Sequence, residues 1–368
     1  MMRGKPVIGV SEATILMFVL LLSRIFLAHI VFIIDAAANA AWMVPIAGTI
    51  MALAALYLLV AVLKREPGLN LAETGERLVG PYINTGFSLY YLVVFVAGAG
   101  LTLRQLSERV LSGFLPDTPI SLVSSFILLG SLAVAYLGPE AVARTARFLV
   151  SVIVVSTLVL ILMTVPLWQA DAIYPLWGNG LPGILKAIAN NTGDFVFILF
   201  LGFIYPFLPG DRTLSIGFWS VAAMGTSMFI FVLVAILVFT YPTVTELNNP
   251  TFEVARMVTL GRFGQRLEIL FLPIWMFSNL IFLSISMYAG SSVLATLSRV
   301  TDNRPFLFSA AVLIMVVAFM PQSSPQAAYW THVFISRYSF YILVGILLAL
   351  IGSGLLKGGG KDDGRESL

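Results

Sequence analysis

Hydrophobic residues run along this chain in long stretches that short polar segments interrupt. A helix needs about 20 consecutive apolar residues to cross the hydrocarbon core of a bilayer. Windows of that length predict ten membrane-spanning helices, at 9–34, 37–63, 83–112, 119–138, 145–167, 191–209, 214–241, 266–298, 305–321 and 331–356. The predicted fold is an all-α polytopic membrane protein, and ten crossings put both termini on one side.

The sixth predicted span differs from the others in its backbone-breaking residues. The stretch from Thr192 to Arg212 is about one span long and contains Gly202, Pro206 and Pro209. Backbone groups that such residues free in hydrocarbon are costly unless they face protein, ions or ligand. In transporters this pattern often marks a discontinuous helix at a midplane binding site. A continuous but kinked helix is the alternative, because Gly and Pro are common in membrane helices.

Ten spans divide into two sets of five, and this division predicts the domain organisation. Because five is odd, the second set enters the membrane inverted. We expect one transmembrane domain over 1–357, with inverted repeats at about 9–167 and 191–356. The sixth span is then the counterpart of the first. The Gly-rich, charged segment 358–368 is predicted to be a disordered cytoplasmic tail.

Composition supports the membrane assignment and excludes several kinds of chemistry. Hydrophobic residues make up 59% of the 368 residues and charged residues 11%, which is typical of integral membrane proteins. The chain has no cysteine and two histidines, so no metal site is expected. No catalytic or phosphate-binding motif is present, so neither an enzyme nor a cofactor is expected. The N-terminal apolar run is too long for a signal peptide and contains Arg24, which favours a retained first span.

Basic residues fix the expected orientation. Thirteen fall on the side of the N-terminus and four on the opposite side, while the other four lie within or at the ends of spans. Cytoplasmic loops carry the excess of Lys and Arg. Both termini are therefore predicted to be cytoplasmic.

Three connections have local signals of their own. The polar segment 64–77 is predicted to be a cytoplasmic loop with a short helix that begins at Asn70. The outer connection 168–190 predicts an interfacial helix after Pro182. In the outer connection 242–265, Asn249-Pro250 can start a short amphipathic helix that covers the outer vestibule. A solvated loop is the alternative there.

Four landmarks occur in order along the chain. They are LRQLSE at 103–108 with FLPDTP at 114–119, GPE at 138–140 with Arg144, YPLWGNG at 174–180, and GRFGQRLE at 261–268 with Trp275. Together they resemble the B-subunit family of spore germinant receptors, within the amino acid–polyamine–organocation transporter superfamily. The resemblance implies the leucine-transporter fold, with a 5+5 inverted repeat and discontinuous helices 1 and 6.

The resemblance also implies a ligand site and partners. The site would lie at the midplane between helices 1, 3, 6 and 8 and bind a small-molecule germinant, commonly an amino acid. The partners would be A and C subunits in the inner membrane of a bacterial cell or spore. The chain departs from the family in its first span, which has no Gly or Pro between Ser11 and Met43, and at Ile204, where the family often has a polar or acidic residue.

Arg24 lies near the middle of the first span, where a guanidinium is costly unless it is paired, hydrated or bound to a ligand. It can receive a ligand carboxylate, or act as a fixed cation where relatives bind sodium or place a titratable lysine. It can instead pair with an acidic residue of a partner subunit or with buried carbonyl groups.

The expected ligand-binding residues come from four spans: Ser23, Arg24, Phe26 and Leu27, then Tyr91 and Phe95, then Gly202, Phe203 and Tyr205, and finally Asn279 and Ser284. For the aromatic side chains, packing in the core is the alternative. A sodium site at Asn279, Ser284 and Ser286 would need oxygens from two helices. Side chains that bond their own preceding turn are the alternative there.

Other charged residues predict contacts near the ends of spans. Asp194 and Arg337 would form an extracellular gate or lie in solvent. Arg104 and Glu108, one helical turn apart, are predicted to pair. By resemblance, Arg266 and Glu268 would form a structural brace.

Three classes of function remain at this point. The first is a nutrient sensor whose ligand shifts a conformational equilibrium and signals to partner subunits. The second is a proton- or sodium-coupled amino acid permease. The third is a scaffold or ion-conducting subunit without a small-molecule site.

Overall fold

The computed structural model of the chain describes residues 8–25, 29–247, 249–257 and 268–359, and these residues contain no β-strand. The helices of the first half are α1 (Val10–Leu22), α2 (His29–Ala37), α3 (Met43–Leu63), α4 (Leu71–Val79), α5 (Pro81–Phe114), α6 (Ile120–Leu137) and α7 (Pro139–Thr164). Those of the second half are α8 (Gly180–Asn191), α9 (Leu199–Ile204), α10 (Thr213–Phe239), α11 (Pro250–Met257), α12 (Glu268–Leu297), α13 (Pro305–Phe319), α14 (Ser324–Trp330) and α15 (Ser339–Gly359).

Many of the helices belong to stretches that are long and apolar enough to cross a bilayer. Within the described residues, eight helical stretches meet this length and hydropathy: Met43–Leu63, Pro81–Phe114, Ile120–Leu137, Pro139–Leu167, Gly180–Phe207, Gly210–Phe239, Trp275–Leu297 and Ser324–Leu355. Shorter apolar helices occur at Val10–Leu22, Ile30–Ala40 and Pro305–Phe319, where the first and ninth spans are predicted. The chain is a multi-pass membrane protein, and the count of ten remains a prediction, as do the repeat boundaries. The predicted tail at 358–368 lies almost wholly outside the described residues.

The first span is broken, as predicted. Helix α1 ends at Leu22, residues Ser23–Ile25 form a turn, and α2 begins at His29. In this turn the amide of Arg24 donates to the carbonyl of Leu21, at 3.2 Å, and that of Ile25 to the carbonyl of Leu22, at 3.0 Å. These i→i−3 bonds tighten the end of the helix without a glycine or a proline.

The sixth span is also discontinuous, at one place that the sequence suggested, around Pro206, and at one that it did not. A 3₁₀ segment, Thr192–Ile198, joins α8 to α9, and a second one, Tyr205–Phe207, follows α9. Gly202, at which helix was expected to be lost, lies inside α9 and packs against Leu71 of α4. The helix expected after Pro182 is present as α8, which runs directly into the 3₁₀ segment, so that both belong to the apolar stretch Gly180–Phe207.

The tenth span contains an irregularity that the sequence did not predict. Helices α14 and α15 flank a π-helical segment, Thr331–Ser336. Such π-bulges are rare and often lie at functional sites. The span also begins at Ser324, earlier than the predicted residue 331. The 3₁₀ segment of the sixth span packs against this π-helical segment and against α15 and α3.

Two of the predicted loop helices are present. Helix α4 begins after Asn70, whose side-chain oxygen accepts a hydrogen bond from the Glu73 amide at 3.0 Å, while the Glu73 carboxylate accepts one from the Asn70 amide at 3.1 Å. This reciprocal pair is a capping box. Helix α11 begins at Pro250 and approaches the break in the first span, where Thr251 Oγ1 donates to the carbonyl of Ile25 at 3.4 Å.

We expect Asn70→Ala to weaken α4 by about 1 kcal/mol, because the Glu73 amide loses its capping acceptor. Amide hydrogen exchange over 71–79 should then accelerate about fivefold, as this change in free energy requires. Asn70→Asp, which keeps a capping oxygen, is the control and should exchange like the unaltered chain. Equal protection of 71–79 in the alanine and aspartate variants would contradict the cap.

Candidate functional site

Three irregular segments meet in the interior. They are the turn Ser23–Ile25 in the first span, the 3₁₀ segment Thr192–Ile198 in the sixth, and the π-helical segment Thr331–Ser336 in the tenth. Each of them leaves backbone groups outside the regular α-helical pattern, which membrane proteins tolerate where the backbone is buried in protein or lines a cavity. All seven residues of the 3₁₀ segment are buried.

Arg24 lies at this meeting point and is 1% exposed. Its Nη1 donates to Thr102 Oγ1 of α5 at 2.8 Å, and its Nη2 lies 3.5 Å from Asp194 Oδ1. The guanidinium carbon also lies 5.1 Å from the ring centroid of Phe197 and 5.8 Å from that of Phe282. Among the described residues, Arg24 therefore contacts an acidic partner of its own chain, a hydroxyl and two aromatic rings.

Asp194 connects Arg24 to the tenth span. It is 1% exposed and lies in the 3₁₀ segment, two residues after Thr192. Its Oδ1 accepts a hydrogen bond from Ser336 Oγ at 2.9 Å, and Ser336 is the last residue of the π-helical segment. Together Arg24, Thr102, Asp194 and Ser336 join the first, third, sixth and tenth spans. We call these four residues the charge cluster.

The ion pair between Arg24 and Asp194 has a long contact distance. At 3.5 Å the Nη2–Oδ1 distance exceeds that of a good charge-assisted hydrogen bond, about 2.7–2.9 Å. Neither Nε nor Nη2 of Arg24 has a hydrogen-bond partner among the described residues. A buried ion pair repays its desolvation only when the geometry is good and the remaining donors are satisfied. This pair therefore contributes little net stability, although the loss of either partner would leave a buried charge.

Gly193 explains how the sixth span comes so close to the tenth. A side-chain carbon at Gly193 would lie 2.2 Å from the carbonyl oxygen of Ile335 and 2.3 Å from that of Ser336. Only a residue without a side chain permits this approach of two backbones. Gly193 therefore places Asp194 beside Ser336.

Aromatic side chains fill the space next to the charge cluster. Phe95 stacks on Phe200 with a centroid distance of 5.0 Å and meets Phe203 edge-on, also at 5.0 Å. Tyr91 meets Phe203 edge-on at 5.9 Å, and its buried hydroxyl has no hydrogen-bond partner among the described residues. Tyr91, Phe95 and Phe203 therefore pack with one another as core residues. Their contact with a ligand remains a prediction.

The polar residues expected at the site bond to their own helices. Ser23 Oγ donates to the carbonyl of Leu20 at 2.7 Å. Asn279 Nδ2 donates to Trp275, and Ser284 and Ser286 donate to Leu280 and Phe282, in each case to the carbonyl four residues earlier. These bonds to the preceding turn are the ones that the alternative to a sodium site predicts. Tyr205 is buried after α9. Phe26 and Leu27 lie outside the described residues.

Two predictions about charged residues have clear outcomes. The gate between Asp194 and Arg337 is wrong, because Asp194 is buried beside Arg24 while Arg337 is exposed and lies over the ring of Tyr338. The solvated alternative is likewise wrong for Asp194.

The pair between Arg104 and Glu108 is confirmed at 2.7 Å. It also braces the start of the tenth span, because Arg104 donates to the carbonyl of Gln322 and Glu108 accepts from the amide of Ser324. The brace expected between Arg266 and Glu268 lies outside the described side chains.

Sequence reasoning missed Asp194 as the partner of Arg24, and it missed Thr102 and Ser336 altogether. One available signal could have found the pair. Ionisable residues inside membrane spans almost always face the protein interior and pair with one another. Arg24 and Asp194 occupy the two spans predicted to be counterparts, so a pairing between them could have been proposed. Nothing in the sequence marks Thr102 or Ser336 apart from other hydroxyl residues in spans.

The chain is similar to proteins of bacterial spore germination. A family model described as "Spore germination protein" matches residues 7–327. "Spore germination protein KB" of Bacillus subtilis (strain 168) is 22% identical over 271 residues, which cover 72% of this chain and 72% of that protein. "Spore germination protein XB" of Bacillus anthracis is 22% identical over 269 residues, which cover 72% of this chain and 74% of that protein.

Solved transporters share the fold. A nucleobase-cation-symport-1 family transporter, in a closed conformation with bromovinylhydantoin bound, aligns with a TM-score of 0.68 at 14% identity, over 94% of this chain and 76% of that one. A Na⁺-coupled sialic acid symporter in a substrate-bound, outward-open state aligns with a TM-score of 0.51 at 14% identity, over 94% and 84%. At this identity the likeness shows the fold alone. It confirms the leucine-transporter fold that was predicted.

Proposed function

Because the chain belongs to the spore germination protein family, whose model covers most of its length, we propose that it is the nutrient-sensing membrane subunit of a germinant receptor. In this proposal it binds a small molecule, an amino acid, near the midplane and signals to A and C partner subunits in the inner membrane of the spore. Family membership and fold together make the chain a germinant-receptor or permease-like membrane protein and not an enzyme.

The observation that carries the proposal is the buried charge cluster where three irregular segments meet. A charged pair inside a membrane protein is costly, and it usually marks a substrate or ion pathway. Arg24 and Asp194 are each 1% exposed, and two guanidinium nitrogens of Arg24 lack hydrogen-bond partners among the described residues. A ligand with an anionic group would supply acceptors for these donors.

The same geometry suggests how binding would become a signal. The charge cluster joins four spans, and three of them are irregular there. A ligand changes an equilibrium only through a difference in its affinity for the two states. One guanidinium and one carboxylate hold four spans together here. Any rearrangement of the Arg24–Asp194 pair changes the contacts of each span, so the ligand would have different affinities for the two states.

We expect Arg24→Ala to abolish high-affinity binding of the amino acid. The protein would be purified in detergent and tested by saturation binding against each of the 20 radiolabelled L-amino acids. Loss of a buried charge contact should weaken the best binder at least about 30-fold. Arg144→Ala is the control, because Arg144 is exposed and pairs with Glu140 one turn away, and its binding should be unchanged. Equal affinity in the Arg24→Ala variant and in the unaltered chain would remove Arg24 from the site.

The alternative is an amino acid permease coupled to protons or sodium, and the transporter fold is the observation that favours it. Counterflow in proteoliposomes distinguishes the two functions. A sensor should bind the labelled amino acid without accumulating it under an imposed proton or sodium gradient, whereas a permease should accumulate it. We expect that binding of the labelled amino acid does not depend on sodium, because the buried guanidinium of Arg24 would repel a second cation at the same place.

A further inference from the structure

The second charge of the cluster also needs an explanation, because Arg24 alone would suffice to bind an anionic group. Asp194 lies 3.5 Å from Arg24 and is equally buried, so it occupies the position that a ligand carboxylate would take. Any anion that binds Arg24 must therefore displace Asp194 or lie beside it. If Asp194 were displaced without a new partner, a carboxylate would be left uncompensated in the interior, at a large cost.

We propose that the ligand enters by exchange of this ion pair. The ligand carboxylate binds Arg24 and the ligand ammonium binds Asp194. The Asp194 carboxylate, released from Arg24, then changes its contact with Ser336 of the tenth span. This inference rests on the proposed function and assigns a role to Asp194, which recognises the amine and competes with the ligand carboxylate for Arg24. No proton or bond is transferred in the exchange, and the net charge of the site is unchanged when a zwitterion binds.

The geometry favours exchange over an inert structural pair. The contact between Arg24 and Asp194 is long, and two guanidinium nitrogens lack hydrogen-bond partners among the described residues, so a ligand carboxylate can form better bonds than Asp194 does. Phe197 and Phe282 lie within 6 Å of the guanidinium carbon. These rings would contact an apolar side chain on the ligand. A zwitterion with an apolar body therefore fits both charges and their surroundings.

The exchange also gives binding a direct route to the tenth span. Ser336 Oγ donates to the same oxygen of Asp194 that lies nearest Arg24. Ser336 ends the π-helical segment, and Gly193, which precedes Asp194, holds the two backbones in close contact. When Asp194 turns from Arg24 to the ligand ammonium, the hydrogen bond that fixes the end of this segment must change.

The test compares the amino acid that binds most tightly with two analogues, one lacking the amine and one lacking the carboxylate. For L-valine these are 3-methylbutanoate and 2-methylpropylamine. In the unaltered chain each analogue should bind at least about 30-fold more weakly, because each leaves one buried charge unpaired. In Asp194→Asn the amino acid should no longer bind more tightly than the deaminated acid. The selectivity ratio, which is the affinity for the amino acid divided by that for the deaminated acid, should therefore fall at least about 30-fold.

If Asp194 had only a structural role, Asp194→Asn would lower all affinities together and leave the selectivity ratio unchanged. That result would overturn the inference while the proposed function stands. The analogue series on the unaltered chain decides the question if Asp194→Asn does not fold, because equal binding of amino acid and deaminated acid also overturns the inference. Ser336→Ala provides a further readout. It should lose the change that the amino acid causes in hydrogen exchange over 331–336, and an unaltered change there would overturn the route through Ser336. If none of the 20 amino acids binds, the proposed function itself fails, and this inference fails with it.

Discussion

Replacement of Asp194 by alanine is expected to destabilise the protein by about 3–5 kcal/mol, because it leaves the guanidinium of Arg24 buried without an opposite charge. Arg24 is 1% exposed and its other contacts among the described residues are a hydroxyl and two aromatic rings, so no other described acid can replace Asp194. The free energy of unfolding would be measured by SDS titration of the purified chain, with helix content as the signal.

Two further variants show whether the loss comes from the unpaired charge. The double variant Arg24→Met, Asp194→Leu should recover most of the stability, because replacing a whole buried pair with apolar residues is often neutral or favourable. Glu140→Ala removes the partner of the exposed Arg144 and should cost less than about 1 kcal/mol. If the double variant were as unstable as Asp194→Ala, the cost would come from packing instead of charge.

The second large effect is expected for Gly193→Ala, in which the new methyl group would lie 2.2 Å from the carbonyl oxygen of Ile335. A backbone atom cannot turn away as a side chain can, so the sixth and tenth spans must separate. Overpacking of this kind costs about 1–3 kcal/mol, occasionally more, and here it also moves Asp194 away from Ser336. Amino acid binding should fall together with stability, measured by the same saturation assay and SDS titration.

Gly345→Ala is the matched control for this substitution. Gly345 lies within α15 of the same span, and a side-chain carbon there would meet nothing within 4 Å. Because alanine is favoured over glycine in a helix by about 0.5–1 kcal/mol, this variant should be as stable as the unaltered chain or more so. Normal stability and binding in Gly193→Ala would show that the two spans are not in the contact described.

Hydropathy predicted the architecture well because every membrane span must contain a long apolar run. The short helices at Asn70 and Asn249-Pro250 were also predictable, because the cap and the proline act locally. The breaks were harder to place. Pro206 and Gly202 directed attention to the second half of the sixth span, where the 3₁₀ segment Tyr205–Phe207 lies, but not to the segment Thr192–Ile198 before α9. In that segment Gly193 lies in close contact with the tenth span, and sequence alone does not show which glycine makes a distant contact.

The candidate site was predicted in part for a similar reason. Arg24 could be identified because a guanidinium is costly in hydrocarbon whatever its neighbours are. The residues that surround Arg24 could not be identified in this way. Thr102, Asp194 and Ser336 come from three other spans, and their contacts with Arg24 or with one another arise only when the chain is folded. The break in the first span has no glycine or proline, so the tight turn after Leu22 was predicted by resemblance and not by local sequence.

The most direct measurement is a structure of the full chain determined with the tightest-binding amino acid at saturating concentration. We predict that the amino acid lies between Arg24 and Asp194, with its carboxylate on the guanidinium, its ammonium on the Asp194 carboxylate, and Nη2 and Oδ1 separated by clearly more than 3.5 Å. An amino acid bound elsewhere, with the Arg24–Asp194 contact intact at that distance, would contradict it.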